Sequence, residues 1–408
     1  MHTARKAALA ATVVATTVLA LCGLATAPLA QLRPVNAVPL PVNPAAAAER
    51  AYLDNFGRAI ETGLGNKSVG YALVAMLPSG AFVAKAGGMA RRAPDPYPRP
   101  MSVDDKITIA SVSKTMTATA IMKLLARNRL TVDTPVAGYL PSTWTLGPGI
   151  KSLTFRELLS HRSGIRCTEA INYIAIKACF ADGIDESLKA EYKYNNTNFA
   201  VFCIILPRLD GMAPAMVRDL EARERRGDPM SIASALAAHY IAHMNANVFA
   251  PAGLPVMHCR NTDAMPAMSY KSANPAEPLN FSIVGPGENW GDRTLSCGSG
   301  GWVFSARQLA VFMHALTHTA KILPPETVAQ MKAEKLGLHP HNHRDGLISH
   351  GHGGFHPAER NRGELHTMIA DYSNGLSVGL VVNSKFSGSI AAEVARAVRE
   401  AEALKAGG

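Results

Sequence analysis

Aromatic residues make up only 6% of this 408-residue chain, charged residues 18%, and cysteines number six. Each scarcity excludes something. The formal charge of +10 is spread thinly, and no basic stripe interleaved with aromatics accompanies it, so the chain carries no nucleic-acid surface of the usual kind. The densest charged run, "RDLEARERRGD" from Arg218 to Asp228, mixes both signs, as a solvated helix or loop does. The cysteine spacing fits no zinc knuckle. No internal repeat is visible. What remains is a 48% hydrophobic chain with ample core for one large domain or two smaller ones.

The first residues have the anatomy of an export signal. Arg5 and Lys6 precede an apolar run from Ala7 through Leu21, followed by small residues around Ala25, Ala27 and Ala30. Pro28 argues against cleavage directly after Ala27, and the apolar run continues almost to Ala30, long enough to stay behind as a membrane anchor. Residues 1–30 therefore read as a signal peptide or an N-terminal anchor. A lipoprotein reading through Cys22 is weaker, because Leu21 stands where a small residue is expected. Residues 31–45 hold "RPVNAVPLPVNP", where Pro34, Pro39, Pro41 and Pro44 suit a semi-rigid spacer to the cell envelope. Folding is expected to start near Ala45. Without the leader the chain keeps Cys167, Cys179, Cys203, Cys259 and Cys297, an odd number in a compartment that permits disulfides. One or two bridges such as Cys167–Cys179, with the rest buried as small hydrophobes, is the expectation.

Periodicity predicts an α+β arrangement over residues 46–408. A helix repeating Leu53, Phe56 and Ile60 precedes a hairpin, "VGYALVAMLPSGAFVAKAGG" from Val69, that turns at Pro78-Ser79-Gly80. The middle, roughly residues 115–316, is mainly helical. "LHTMIADYSNGLSVGLVVNS" then reads as two strands about Asn374-Gly375. A last amphipathic helix is built on Ile390, Val394, Val398 and Leu404. One antiparallel sheet made from both ends of the chain, flanked by terminal helices and interrupted by a helical insertion, satisfies this pattern.

Two serines compete as nucleophile. "GLSVG", Gly375 to Gly379, matches the G-x-S-x-G of hydrolase elbows, but Ser377 continues from an Asn-Gly turn straight into Leu380, Val381 and Val382. A mid-strand serine has no strand-to-helix elbow to present it. The second serine lies in "IASVSKTMTATAIMKLLARNRL", where Met116, Ala120, Ile121, Leu124 and Leu125 fall on one helical face and place Ser111 at the helix start. Lys114 follows one turn later on the same side. An amine beside a hydroxyl at a helix N-terminus can accept its proton and favour the negative charge that develops. S-x-x-K arises about once or twice by chance in a chain of this length, so it needs partners.

"YNNTNFAVF" supplies Tyr194 and Asn196, and "SHGHGGFHP" supplies His352, Gly353 and Gly354 followed by Phe355. With "LTVDTPVAGYLP", "LTFRELLSHRSGI", "NVFAPAGL" and "SGGWVFSARQLAVF", these motifs resemble, in order, the serine β-lactamase-like family of class C β-lactamases, D,D-peptidases, D-aminopeptidases and related esterases, over roughly Lys106 to Ser384. The resemblance implies Ser111 as acylated nucleophile, Lys114 as its proton-handling partner and Tyr194 as second acid/base. Asn196 would position substrate, His352 would line the site on its strand, and the backbone N–H groups of Ser111 and Phe355 would form the oxyanion hole. Gly353 and Gly354 would let that strand approach the substrate. No metal or cofactor is implied, and the partner is a small-molecule or peptide substrate outside the cytoplasm, periplasmic or extracellular.

Either a desolvated neutral Lys114 or a Tyr194 phenolate could take the serine proton. "HNHRD", with His341, His343 and Asp345, imitates a zinc-ligand pattern, but six histidines fall between His339 and His356 and polar loop histidines are the simpler reading. Two departures bear on substrate. Asn195 stands where the family often has Ser, and His352 replaces the Lys typical of β-lactamases. An imidazole there is expected to titrate between about pH 5.5 and 7.5 and to hold a β-lactam carboxylate less firmly than a fixed cation. A peptidase or esterase acting on a D-amino-acid-like or ester substrate is therefore favoured. The alternatives are a true β-lactamase and a non-catalytic, envelope-anchored binding module on the same fold.

Overall fold

The computed structural model describes residues 44–271, 286–358, 363–386 and 388–406. The expected leader, and the spacer up to residue 43, lie outside these described residues. Helix α1 (Pro44–Leu64) buries Leu53, Phe56 and Ile60 at the spacing read from the sequence. Strands β1 (Gly70–Met76) and β2 (Phe82–Arg91) form the first hairpin, with Gly80 in the left-handed region at φ 89°. Two short strands, β3 (Arg99–Pro100) and β4 (Ile107–Thr108), lead into α2 (Ser113–Arg127).

The insertion then runs through α3 (Phe155–Leu159), β5 (Ser163–Ile165), α4 (Tyr173–Asp182) and β6 (Ile184–Lys189). It continues through α5 (Thr197–Ala200), α6 (Phe202–Leu209), α7 (Pro214–Arg225) and α8 (Pro229–Met244). The mixed-charge run seen in the sequence lies mostly on α7. After β7 (Val303–Phe304) come α9 (Ala306–His318) and α10 (Pro325–Glu334). The chain closes with β8 (His339–Asn342), β9 (Ile348–His356), β10 (Leu365–Tyr372), β11 (Ser377–Val382) and α11 (Ile390–Ala406).

The main sheet has seven strands in the order β3-β2-β1-β11-β10-β9-β8, so β1 from the N-terminal hairpin pairs directly with β11 from the C-terminal one. All of its paired neighbours run antiparallel. Alternation along β11 explains why both faces are apolar. Val378, Leu380 and Val382 join Phe56, Ile60, Val394 and Val398 in a core beneath α1 and α11, while Val381 faces the larger core shared with the helical insertion. Leu404, expected in that C-terminal stripe, is 61% exposed; Ala401, wholly buried, completes the face instead.

The G-x-S-x-G string has a packing explanation. Gly375 takes φ 89° in the hairpin turn, and a Cβ on Gly379 would lie 2.5 Å from both the Ala306 carbonyl oxygen and the Ala310 nitrogen of α9. These glycines serve a turn and a helix–sheet contact. Ser377 is fully buried between them and bonds Thr317 and Asp371.

Helix α2 departs from its expected single apolar face. It is buried nearly all round, and its threonines are satisfied internally, Thr115 by the Gly337 carbonyl at 2.7 Å and Thr117 by the Gly298 carbonyl at 2.8 Å. Hydroxyls bonded to backbone let a polar-looking helix run through the core. Disulfides join Cys167 to Cys179 and Cys259 to Cys297, and Cys203 is free and buried, its thiol pushed up to about 12 by that burial.

Strand β9 is pressed onto the turn that precedes α2. A Cβ on Gly354 would meet Thr367 Oγ1 at 2.1 Å and the Ile109 carbonyl oxygen at 2.3 Å, whereas a Cβ on Gly353 meets nothing within 4 Å. The close approach that requires glycine is thus to the protein's own backbone. Gly354→Ala is expected to destabilise the fold by about 1–3 kcal/mol through overpacking, with Gly353→Ala leaving stability within about 0.5 kcal/mol. Paired thermal melts check the contrast, and equal losses would show that β9 can shift to make room.

Candidate active site

Ser111 sits in a single 3₁₀ turn, Ala110–Val112, that runs directly into α2. The turn is held from several sides. Ile107 and Thr108 pair with Phe304 and Val303, the Ile109 amide donates to the Trp302 carbonyl at 2.9 Å, and Thr367 Oγ1 donates to the Ile109 carbonyl at 2.7 Å. These contacts hold Ala110 at φ 47°, a conformation that a residue with a Cβ adopts only under constraint.

Lys114 is fully buried one turn on. Its Nζ donates to Ser111 Oγ at 2.9 Å, Asn196 Oδ1 at 2.6 Å and the Ser299 carbonyl oxygen at 2.6 Å. Burial draws the amine down to about 7, opposed by the negative charge of Glu169. On the other side of the serine, Tyr194 Oη lies 2.6 Å from Ser111 Oγ. Desolvation pushes this phenol up to about 12, with the Ser111 hydrogen bond acting against the rise.

The segment carrying Tyr194 is fixed by its neighbours. The Lys193 amide donates to the His161 carbonyl at 2.8 Å, and the Asn195 amide to His161 Nδ1 at 3.3 Å. His161 also packs under the tyrosine ring, with centroids 4.5 Å apart. Asn195, the departure noted in the motif, braces the local backbone. Its Nδ2 donates to the Cys167 carbonyl at 2.6 Å and its Oδ1 receives the Thr197 amide at 2.9 Å, which starts α5. Asn196 turns its Oδ1 to Lys114 and its Nδ2 to the Glu169 carboxylate.

Ser111, Tyr194, Asn196, His352, Gly353 and Phe355 line one cavity of ≈ 750 Å³. The motifs expected to meet therefore do so, except that Lys114 is buried behind Ser111 and Gly354 faces Ile109, so neither is part of the lining. The expectation that His352 titrates near neutral pH is overturned. The residue is buried beside Lys114 and His339, and desolvation followed by the Lys114 charge holds its imidazole well below the ordinary value, so it stays neutral. Its Nδ1 hydrogen is donated to the Gly353 carbonyl at 2.6 Å.

The rest of the wall includes Arg162, Tyr192, Lys335, His339 and His341, none of which is given a role in this site by the sequence reading. Glu169 escapes sequence reasoning, because its segment carries no local signal; His161 and Ser299 lie in stretches that carry the family resemblance, but no role is assigned to either from sequence, because each reaches the site by tertiary approach. His343 bonds Ser349 Oγ at 2.9 Å, the Asp345 side chain lies outside the described residues, and no three His, Cys, Asp or Glu side chains among the described residues are grouped to hold a metal ion.

The 91-residue match to esterase EstB of Burkholderia gladioli is 36% identical and spans 21% of this chain and 23% of that relative's length. Among solved structures, the octameric penicillin-binding protein homologue from Pyrococcus abyssi superposes with a TM-score of 0.61 at 17% identity, over 89% of this chain and 77% of the other. D-amino acid amidase from Ochrobactrum anthropi SV3, complexed with D-phenylalanine, gives 0.59 at 20% identity over 88% and 100%. At such identities these structures speak for the shared fold alone. The Beta-lactamase family model matches residues 56–403, and the chain belongs to that family.

Proposed function

We propose that this protein is a serine hydrolase that cleaves small amides or esters through an acyl-enzyme on Ser111. The observation that carries the reading is the set of contacts around Lys114. Asn196 Oδ1 and the Ser299 carbonyl, both acceptors only, hold two of the amine's hydrogens, which leaves its third direction on Ser111 Oγ. In the neutral amine that direction is a lone pair. Lys114, drawn down to about 7, accepts the serine proton while Oγ attacks the substrate carbonyl carbon. Tyr194 is too weak an acid to serve as a phenolate near neutral pH. Its neutral hydroxyl, 2.6 Å from Oγ, passes its proton to the nitrogen or oxygen that departs as the acyl bond breaks. The phenol is restored by the proton that Lys114 took from serine, which returns the amine to its neutral form. Water positioned by the same tyrosine then clears the ester, the amine taking a proton from that water and handing it to Ser111 Oγ as the ester is cleaved. The backbone N–H groups of Ser111 and Phe355 are the proposed oxyanion donors, each worth about 3 kcal/mol in enzymes of this chemistry.

A D-amino-acid peptide, amide or ester is the favoured substrate. Solved neighbours named as D-amino acid amidase and D-stereospecific amidohydrolase support the D-amino-acid part of this reading, and the esterase among the relatives supports the ester part. The neutral His352 supplies no cation at the third motif, so a β-lactam carboxylate would have to reach Arg162 or Lys335 elsewhere on the wall. Export belongs to the same reading, supported by the leader sequence and by two disulfides.

Ser111→Ala is expected to abolish turnover of a p-nitrophenyl ester and covalent labelling by a fluorophosphonate, while Ser377→Ala keeps both. Recovery of a labelled peptide containing Ser377 would overturn the assignment.

The pH profile tests the base. Because the neutral amine is the active form, kcat/KM should be low below about pH 6, climb through about 7 as Lys114 loses its proton, and level off above. Lys114→Met should lower the plateau by roughly 10²–10⁴-fold. His352→Asn should leave the position of the acid limb in place, and a limb that vanished with the histidine would make His352 the titrating group.

A further inference from the structure

Glu169 lies outside the motifs, on the short stretch between β5 and α4, yet three contacts tie that stretch to its surroundings and to the segment bearing Tyr194 and Asn196. Cys167 is bridged to Cys179, the Cys167 carbonyl accepts from Asn195 Nδ2 at 2.6 Å, and the Ala170 amide donates to Thr197 Oγ1 at 2.9 Å. Between these anchors Glu169 takes a left-handed φ of 58°, which a glutamate adopts only when its surroundings impose it. The result is a carboxylate placed against Asn196 Nδ2.

An asparagine amide has nearly the same shape when its oxygen and nitrogen are exchanged, so its orientation depends on its partners. Lys114 can donate to the amide oxygen in either protonation state, and a carboxylate can only accept from the nitrogen. With Glu169 on one side and Lys114 on the other, the amide has one satisfactory orientation. Without Glu169 a flipped amide would point its hydrogens at the amine of Lys114.

The charges around that amine are few. The Tyr194 ring lies 5.1 Å from Lys114 Nζ, and the neighbouring His161, His339 and His352 are all held neutral by burial. Glu169 is the negative charge that favours protonated Lys114, and it acts in the same sense on the Tyr194 proton.

We propose that Glu169 is a positioning residue of this site, orienting Asn196 against Lys114 and supplying the counter-charge to that amine; the role rests on the acyl-transfer reading above. Glutamine at this position keeps an acceptor for Asn196 and removes the charge. Alanine removes both.

The experiment follows kcat/KM against pH for wild type, Glu169→Gln and Glu169→Ala with p-nitrophenyl acetate. In parallel, the ε-methylene resonance of Lys114 is titrated in 13C-lysine-labelled protein and assigned by its loss in Lys114→Met. Glu169→Gln should move both the acid limb and the lysine titration about half a unit to one unit lower. Glu169→Ala should do the same and also lower the plateau, by about tenfold more than Gln does. A merely structural glutamate would change melting temperature and plateau while leaving both titrations where they were, and that result overturns the proposal. The lysine titration is read without turnover, so it decides the role of Glu169 even if Ser111→Ala retains activity and the acyl-transfer reading falls. Should Glu169→Gln fail to fold, Glu169→Asp, which keeps the charge on a shorter arm, must hold the lysine titration near wild type while Glu169→Ala lowers it; any other order removes Glu169 from the site.

Discussion

The amine of Lys114 has no contact with solvent, and much of this structure follows from what that requires. Moving an ammonium out of water is costly, and the fall of this amine from an ordinary 10.5 to about 7 corresponds to a penalty on the order of 5 kcal/mol on its charged form. A group under that penalty stays tolerable only if every hydrogen finds a partner. Ser111 Oγ, Asn196 Oδ1 and the Ser299 carbonyl meet the demand, and they come from three separate parts of the chain. Each must arrive with sub-ångström accuracy, so the segments that deliver them need firm anchorage.

The scaffold provides it by joining the chain's two ends. Pairing β1 with β11 closes one sheet from both terminal hairpins, and α1 and α11 cover its outer face. The inner face then offers β9 and β10 as a floor on which the 3₁₀ turn before α2 can rest, with Gly354 allowing contact and Thr367 bonding Ile109. The helical insertion brings Tyr194, Asn196 and Ser299 down onto the same spot. Two disulfides staple the insertion near those deliveries, Cys167 beside Asn195 and Cys297 two residues before Ser299.

This division explains how much is legible in the sequence. Both hairpins, the terminal helices and the Ser111–Lys114 pair follow local rules, namely alternation, turn residues and i,i+3 spacing, and all appear in the structure. The case against Ser377 rests on the same kind of reasoning, and the burial of that serine agrees with it. Glu169, His161 and the Ser299 carbonyl have no such signature, because their positions are set by loops folding back through disulfides and side-chain-to-backbone bonds. Helix α2 misleads for a related reason. Its threonines look like a solvent face in the sequence, and only the carbonyls of Gly298 and Gly337, distant in the chain, make their burial tolerable.

The histidine at the third motif brings these strands together. A free imidazole titrates near neutral pH, which is why a charge switch at His352 is the natural expectation. Burial alters both groups in one direction. The desolvation that lowers Lys114 also lowers His352, and the residual positive charge of the lysine lowers the histidine further. A lysine in place of His352 would put a second ammonium beside the first, in the same low-dielectric pocket, and each would make the other harder to protonate. A neutral imidazole fills that volume without entering the electrostatic balance. It leaves the protonation of Lys114 to be set by burial on one side and the Glu169 carboxylate on the other, so the proposed base is governed from the loop that holds Glu169 rather than from the strand that holds His352.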